Sequence, residues 1–382
     1  MAELSEQAVT TDVDAQEVSD VGELSQSKLI WLRFRRNKLA LIGGIGLIIM
    51  YIIIGLGPFL ASNGYRFQNQ DYIYGPPTPI TFIGPDGRFG LQPYTYEVST
   101  KLDPEAFKFV FEINRDVKLP LNFFVEGDPY TMLGFINSNV HLFGVEGGQR
   151  FYPLGADALG RDVFARLLTG GQVSLTVGLL GVALTILFGS FMGTVSGYFG
   201  GLADDVIQRI VELIMSFPTV PLWAALAAAM PPISGDFTAL DRYFLITVIL
   251  SLVNWTGLSR QLRAKVMAYR ESDFVMAALA AGAKDRRIIF THMMPNAASH
   301  IIVVAALAIP GMILGETALS FLGLGILPPA VSWGSMLTEA QAVPVVIDHP
   351  WLMTPGVAVI LSVLFFSFLG DALRDAADPY SI

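Results

Sequence analysis

Few residues in this chain have types and spacing suited to chemistry. There is no cysteine, which excludes disulfides, thiol nucleophiles and Cys-based metal or iron–sulfur sites. No glycine is directly followed by lysine, so a phosphate-cradling P-loop cannot be written anywhere. His292 and His300 are close, but Pro295 between them disturbs the register needed to converge on a metal, and Phe290, Thr291 and Met293 supply no further ligand. No metal site is expected, and His292 is expected to orient a loop against a helix end. Asp157, Arg161 and Asp162 in "YPLGADALGRDVFARLLTGG" could exchange protons, although ion pairs that anchor a turn account for them better. Glu316 stands in an apolar run, where an ionisable group lines a solute path or holds a solvated structural position; both readings stay open. Arg209 and Glu212 lie near the end of another such run.

These residues have to be positioned by a membrane-embedded scaffold. Hydrophobic residues make up 53% of the chain and charged ones only 15%, with a mean hydropathy of +0.54. The net charge of −9 comes largely from an N-terminal tail and one long loop, so nucleic acid is not an expected partner. Residues 1–27 are acidic and polar, lack the basic and apolar regions of a signal peptide, and read as a disordered tail. In "KLIWLRFRRNK", Trp31 and the basic residues suit a lipid headgroup layer, so residues 28–60 read as a juxtamembrane segment and first span.

Six stretches are apolar enough to span: about 39–60, 173–197, 206–230, 243–259, 297–325 and 353–370. Pro218, Pro221 and Pro310 should kink or break the third and fifth. Glycines and alanines in the second, third and fifth allow helices to approach closely. Arg260, Arg263, Lys265, Arg270, Lys284, Arg286 and Arg287 crowd the loop between the fourth and fifth, whereas 326–352 has no Lys or Arg. The positive-inside rule then puts the 260–296 loop and both termini in the cytoplasm, and residues 61–150 outside.

That outer stretch is far longer than a connection requires. "PITFIGPDGRFGLQPYTYEV" predicts a hairpin turning at Pro85, Asp86 and Gly87. In "FKFVFEI", Phe107, Phe109, Phe111 and Ile113 alternate as the half-buried face of a strand would. A small β-rich insert is expected, its aromatics in a core. After it, Asp157 is expected to cap a short amphipathic helix on the outer surface, ended by Gly170 and Gly171. The core, 151–382, follows.

The most ordered connection is "DFVMAALAAGAKDRRIIFTHMMPNA", residues 273–297. Ser272 can cap a helix that begins at Asp273, four alanines favour helix with little bulk, and Gly282 should end it at a position needing positive φ. A second short helix is expected from about Asp285 to Met294, ended by Pro295. Such a hinged pair lets another protein's surface approach closely.

This segment resembles the EAA loop of ABC importer permeases, in the form carried by the peptide and nickel branch. The resemblance rests on Asp273, Phe274, Val275, Ala277, Ala278, Gly282, Ala283, Arg287 to Phe290, His292, Pro295 and Asn296. It extends through "PLGADALGRDVFARLLTGGQVSL", with Gly155, Asp157, Gly160, Arg161 and Asp162, and through "GYFGG", "LSFLGLGILPPAVSWGSML" and "GDALRDAADP". The chain departs from the family at Met276, where the loop's name-giving glutamate would stand, and at Lys284. The closest subgroup is the C-type permease of dipeptide and oligopeptide importers.

The resemblance implies an all-α membrane protein with the six-helix type I importer permease fold, carrying the β-rich insert between its first two helices. It implies a multi-pass subunit of a bacterial cytoplasmic membrane, paired with a second homologous permease. Two cytoplasmic ATPases using ATP and Mg would dock on the loops, and an extracytoplasmic binding protein would deliver a peptide. The chain itself would be neither enzyme nor cofactor carrier. Nickel-chelate, opine and glycoside importers share these motifs, and a stand-alone secondary transporter is the rival from another class.

Overall fold

The computed structural model describes residues 34–83, 89–104, 108–132, 134–147 and 149–377. The acidic tail, Trp31, the Pro85–Gly87 turn, Phe107 and residues 378–382 lie outside them.

Asn37 opens the first helix, its side chain accepting from the Leu39 and Ala40 N–H groups. This helix, α1 (Lys38–Gly55), leaves Leu39, Ile42, Ile45, Ile48 and Ile52 exposed. In water such a surface would be untenable; in hydrocarbon it is neutral. A short turn of helix, α2 (Gly57–Leu60), joins it to the segment that carries the sheet. The remaining long helices are α3 (Val163–Phe199), α6 (Ala239–Arg270), α8 (Asp285–Phe321) and α9 (Thr354–Ala377).

The third expected span takes a different form. Helix α4 (Gly201–Met215) and helix α5 (Thr219–Ala228) meet at 88°. The break falls at Pro218, which has no N–H to continue the ladder and disfavours helical backbone at Phe217 before it. Among the described residues five helices are long and apolar enough to cross a membrane, with a sixth if the bent pair counts as one span.

Helix α3 differs from expectation at its start. Asp162, not Asp157, is its cap, accepting from Phe164 N, and the helix runs unbroken through Gly170 and Gly171. Both glycines are in close contact. A Cβ on Gly170 would lie 3.1 Å from the Ser332 backbone, and one on Gly171 would lie 2.8 Å from Ile54 and 2.9 Å from Trp333. They admit neighbours to the helix surface and do not end it. Gly155, Asp157, Gly160, Arg161 and Asp162 therefore belong to a turn before α3, and no separate surface helix forms.

The main packing contact joins α3 and α6. Gly189, Gly193 and Gly197 recur every four residues on α3, and a Cβ on each would meet a backbone carbonyl of α6: Trp255 O at 2.9 Å, Ser259 O at 2.5 Å and Arg263 O at 2.7 Å. Spacing by four puts them on one helix face. Arg260–Arg270, expected in a loop, continues α6 as helix beyond the apolar stretch.

The sheet is an antiparallel meander, β1 (Thr81–Ile83), β2 (Phe89–Asp103), β3 (Lys108–Met132) and β4 (Ile136–Val145). Long β3 pairs with β2 over its first half and with β4 over its second. A small core of Leu121, Val145 and Phe151, with Leu119 and Phe143 packed against it, lies at its base. The half-buried face expected farther out is not formed. Phe109 and Ile113 are exposed, and only Phe111 is covered, edge-on against Tyr72 at 5.2 Å between centroids. Among the described residues no second layer covers that ribbon, so period-two alternation has nothing to face.

Candidate functional site: the loop and the outer turn

Helix α7 (Asp273–Ala280) follows α6 after a two-residue turn. Ser272 stands at its N-cap, but its hydroxyl donates to Tyr269 O and leaves the cap unmade. The other end is closed by backbone. Gly282 N–H donates to Leu279 O (2.9 Å) and Ala283 N–H to Ala278 O (3.0 Å), the pairing of a Schellman motif, with Gly282 at φ +76°.

Val275 is fully buried against Leu262, Val266, Ile288 and Met293, and Ala278 is half-buried beside them. Asp273, Met276, Ala277 and Ala280 are exposed together, at the spacing of one helix face. Phe274 and Leu279 add exposed apolar surface. Of the two alanines expected to face a partner, only Ala277 is open to solvent.

Beyond Gly282 the chain does not make the separate second helix expected to end at Pro295. Instead α8 begins at Asp285 and carries a π-helical turn, Ile288–Met293, in which Met294 N–H reaches Ile289 O. The wider turn accommodates Pro295, which brings no N–H to the ladder. Asn296 Nδ2 donates to His292 O (2.7 Å), and Tyr269 OH donates to Asn296 O (3.2 Å). Asp285 accepts from Tyr198 OH at the end of α3 (2.7 Å). Arg287 is exposed, and His292 is partly covered. The loop is therefore pinned to α3, α6 and α8.

A second bracket at the same end has no signature in sequence. Arg263 of α6 makes two bonds to Asp204 of α4, Nε to Oδ1 at 2.6 Å and Nη2 to Oδ2 at 2.5 Å, and Ser196 of α3 donates to the same carboxylate. The bidentate geometry fixes orientation as well as distance. The partners are 59 residues apart, and Arg263 reads in sequence only as one more basic residue.

At the other end, Asp157 organises the turn before α3. It accepts from Leu159 N (2.8 Å), Arg161 N (3.0 Å) and Arg161 Nε (2.7 Å), and pairs with Arg166 Nε at 3.1 Å. Arg161 also reaches Glu339 (3.1 Å). Burial, reinforced by the nearby Asp157, raises the Glu339 carboxyl above its ordinary range. Burial likewise pushes the Asp162 carboxyl up to about 7, against the pull of Asn63 and of backbone N–H donors. Gly155 (φ +73°) and Gly160 (φ +67°) leave no room for side chains; a Cβ on Gly160 would sit 1.9 Å from Asn69 O. Asp157, Arg161, Arg166 and Glu339 form an ion-paired anchor for the turn.

Glu316 is wholly buried and accepts from Ser174 Oγ (2.9 Å) and Ser320 Oγ (2.6 Å). Those hydroxyls in turn accept from Trp333 N (3.1 Å) and Ile326 N (2.9 Å). The carboxyl thus ties α3 and α8 to the segment that follows α8. The serine partners, 142 residues apart in one case, could not be paired from sequence.

The chain is a scaffold of long apolar helices with a pinned, partly apolar loop at one end, and the sequence comparisons give its family. Residues 185–380 match the binding-protein-dependent transport system inner membrane component, and residues 25–77 match the N-terminal transmembrane domain of oligopeptide transport permease C. The chain belongs to this family of importer permeases, which are transporter subunits and not enzymes.

A putative peptide permease of Brucella ovis is 41% identical over 226 residues, covering 59% of this chain and 72% of the relative. The dipeptide transport system permease DppC of Alkalihalophilus pseudofirmus is 37% identical, covering 62% and 74%. The oligopeptide permease OppC of Haemophilus influenzae is 37% identical, covering 60% and 70%. An inward-facing MetNI methionine ABC transporter structure aligns at 16% identity over 55% of this chain and 96% of its own, with a TM-score of 0.40.

Proposed function

We propose that this chain forms half of the translocation path of an ATP-driven importer of di- or oligopeptides. A second permease completes the path, two ATPases use ATP and Mg below it, and an extracytoplasmic protein delivers the peptide. The observation that carries the coupling role is α7. It is a short helix with an exposed apolar face, closed at Gly282 and pinned to three long helices, so a push on it is transmitted to the bundle. Closure of the ATPases would rock the helices between inward- and outward-open states. The names of the relatives support peptide as the substrate class. Reconstituted with its partners, the chain should accumulate labelled peptide only when ATP is supplied on the ATPase side. Uptake by this chain alone, driven by a proton or sodium gradient, would replace this reading with a secondary transporter.

The proposed topology puts both termini, the acidic tail 1–27 and the 260–296 region in the cytoplasm. The 61–150 insert faces the side from which substrate arrives, between the 28–60 segment and the 151–382 core. Lys284 and Asn137 are both exposed, and the chain has no cysteine of its own. Lys284→Cys and Asn137→Cys should therefore label with an impermeant thiol reagent from opposite faces of the membrane. Labelling from one face would refute the topology.

A further inference from the structure

Residues 65–68, the turn before α3 and the stretch from Gly323 to Glu339 enclose a cavity of about 600 Å³. It continues past Tyr65, Arg66, Ile326 and Ala330 into a second of about 380 Å³ that reaches Gln172, Thr176 and Tyr243. One wall is apolar, from Ile326 to Ala330. The charges opposite are unevenly matched. Arg161 is paired with Asp157 and Glu339, and Arg166 with Asp157. Arg66 has neither a hydrogen bond nor an ion pair among the described residues. It is exposed, and its guanidinium lies over the Tyr65 ring, 5.1 Å from the centroid.

We propose that this groove is an entry subsite for peptide and that Arg66 receives the peptide's free terminal carboxylate. The inference rests on the peptide reading above. Peptides of one class differ in their side chains and share their termini and backbone. A cation beside a plain apolar wall recognises the shared group and leaves the sequence unread. Arg is suited to this because its planar fork meets a carboxylate with two parallel bonds. The Tyr243–Thr176 hydroxyl pair (3.1 Å) and Gln172 lie farther along the groove, where a peptide backbone would run. The combined space is of the size that holds small ligands.

The test compares uptake of tri-alanine and its C-terminal amide by the whole complex in proteoliposomes, with binding protein saturating. The same binding protein delivers both peptides, so its own preference cancels when wild type and variant are compared as a ratio. Arg66→Gln should lower the acid-to-amide uptake ratio roughly tenfold, the loss of one charge-assisted contact, and Arg66→Lys should recover part of it. Equal loss for both peptides would place Arg66 against a protein partner and overturn the proposal; no change for either would overturn it too. If the binding protein refuses the amide, a tripeptide with a photoreactive group near its C-terminus decides the matter. It should label residues 65–68 or 326–330 in wild type and not in Arg66→Gln, and failure to label wild type there defeats the proposal. A wild-type complex that imports no peptide at all would sink the peptide reading itself, a result independent of Arg66.

Discussion

Gly193→Leu should abolish accumulation of the folded permease, whereas Gly44→Leu should leave it near the wild-type level. The two glycines sit in apolar helices, and local sequence gives little reason to rank them. Their surroundings differ. A Cβ on Gly193 would lie 2.5 Å from Ser259 O and 3.0 Å from Ser259 Cα, both backbone atoms of α6 that no rotamer change can move. A Cβ on Gly44 meets nothing within 4 Å. Overpacking a well-packed site costs about 1–3 kcal/mol where neighbours can yield, and more where they cannot. Here α3 and α6 would have to separate along a seam that also includes Gly189 and Gly197. Separation would pull Ser251 Oγ from Gly181 O (3.0 Å) and strain the Arg263–Asp204 bracket. The check is the amount of monodisperse protein recovered in mild detergent and its melting temperature. Equal yields for the two variants would mean that the seam is looser than described and that α3 can tilt away from α6 at little cost.

That contrast shows what was legible in the sequence. Hydropathy marked the apolar helices because each must satisfy its own backbone in lipid. Glycine content marked close approach without saying which helix approaches, since Gly189, Gly193 and Gly197 meet Trp255, Ser259 and Arg263, each 66 residues farther along the chain. Where proline decides locally the reading was partial. Pro218, expected to kink or break a span, divides it into two helices at 88°, while Pro295, expected to end a helix, is absorbed by a π-turn. Backbone context settles which of these happens. Gly170 and Gly171 resemble a helix stop because glycine often serves as one, yet Ser332 and Trp333 occupy the space they leave. Of the candidate site, the α7–Gly282 unit was legible, since its helix and its C-terminal cap are local. Asp204–Arg263 and Glu316 with its serines were not, because each joins elements whose arrangement only the fold supplies.

Gly282→Val should give a permease that inserts and folds yet imports nothing measurable. Gly282 holds φ at +76°, a conformation strongly disfavoured for a β-branched residue. Space is not the obstacle, because a Cβ there meets nothing within 4 Å. The strain is therefore confined to the backbone and is relieved by opening the Schellman closure, in which Gly282 and Ala283 donate to Leu279 and Ala278. Opening it frees α7 to turn about its own end, so the exposed face bearing Asp273 and Ala277 loses its fixed relation to α8. The long helices should be undisturbed, because the buried side of α7 contributes mainly Val275 to the core beneath it. Gly282→Asn separates conformation from bulk, since asparagine tolerates positive φ; it should retain much of the transport that valine loses. Under the proposed coupling role, Gly282→Val should co-purify with less ATPase, or with ATPase that hydrolyses ATP without import. Asp273→Ala should be more damaging than Met276→Ala, because in this chain only Asp273 offers a carboxylate on that face. Wild-type import by Gly282→Val would reduce α7 to a connector and leave the ATPases to dock elsewhere.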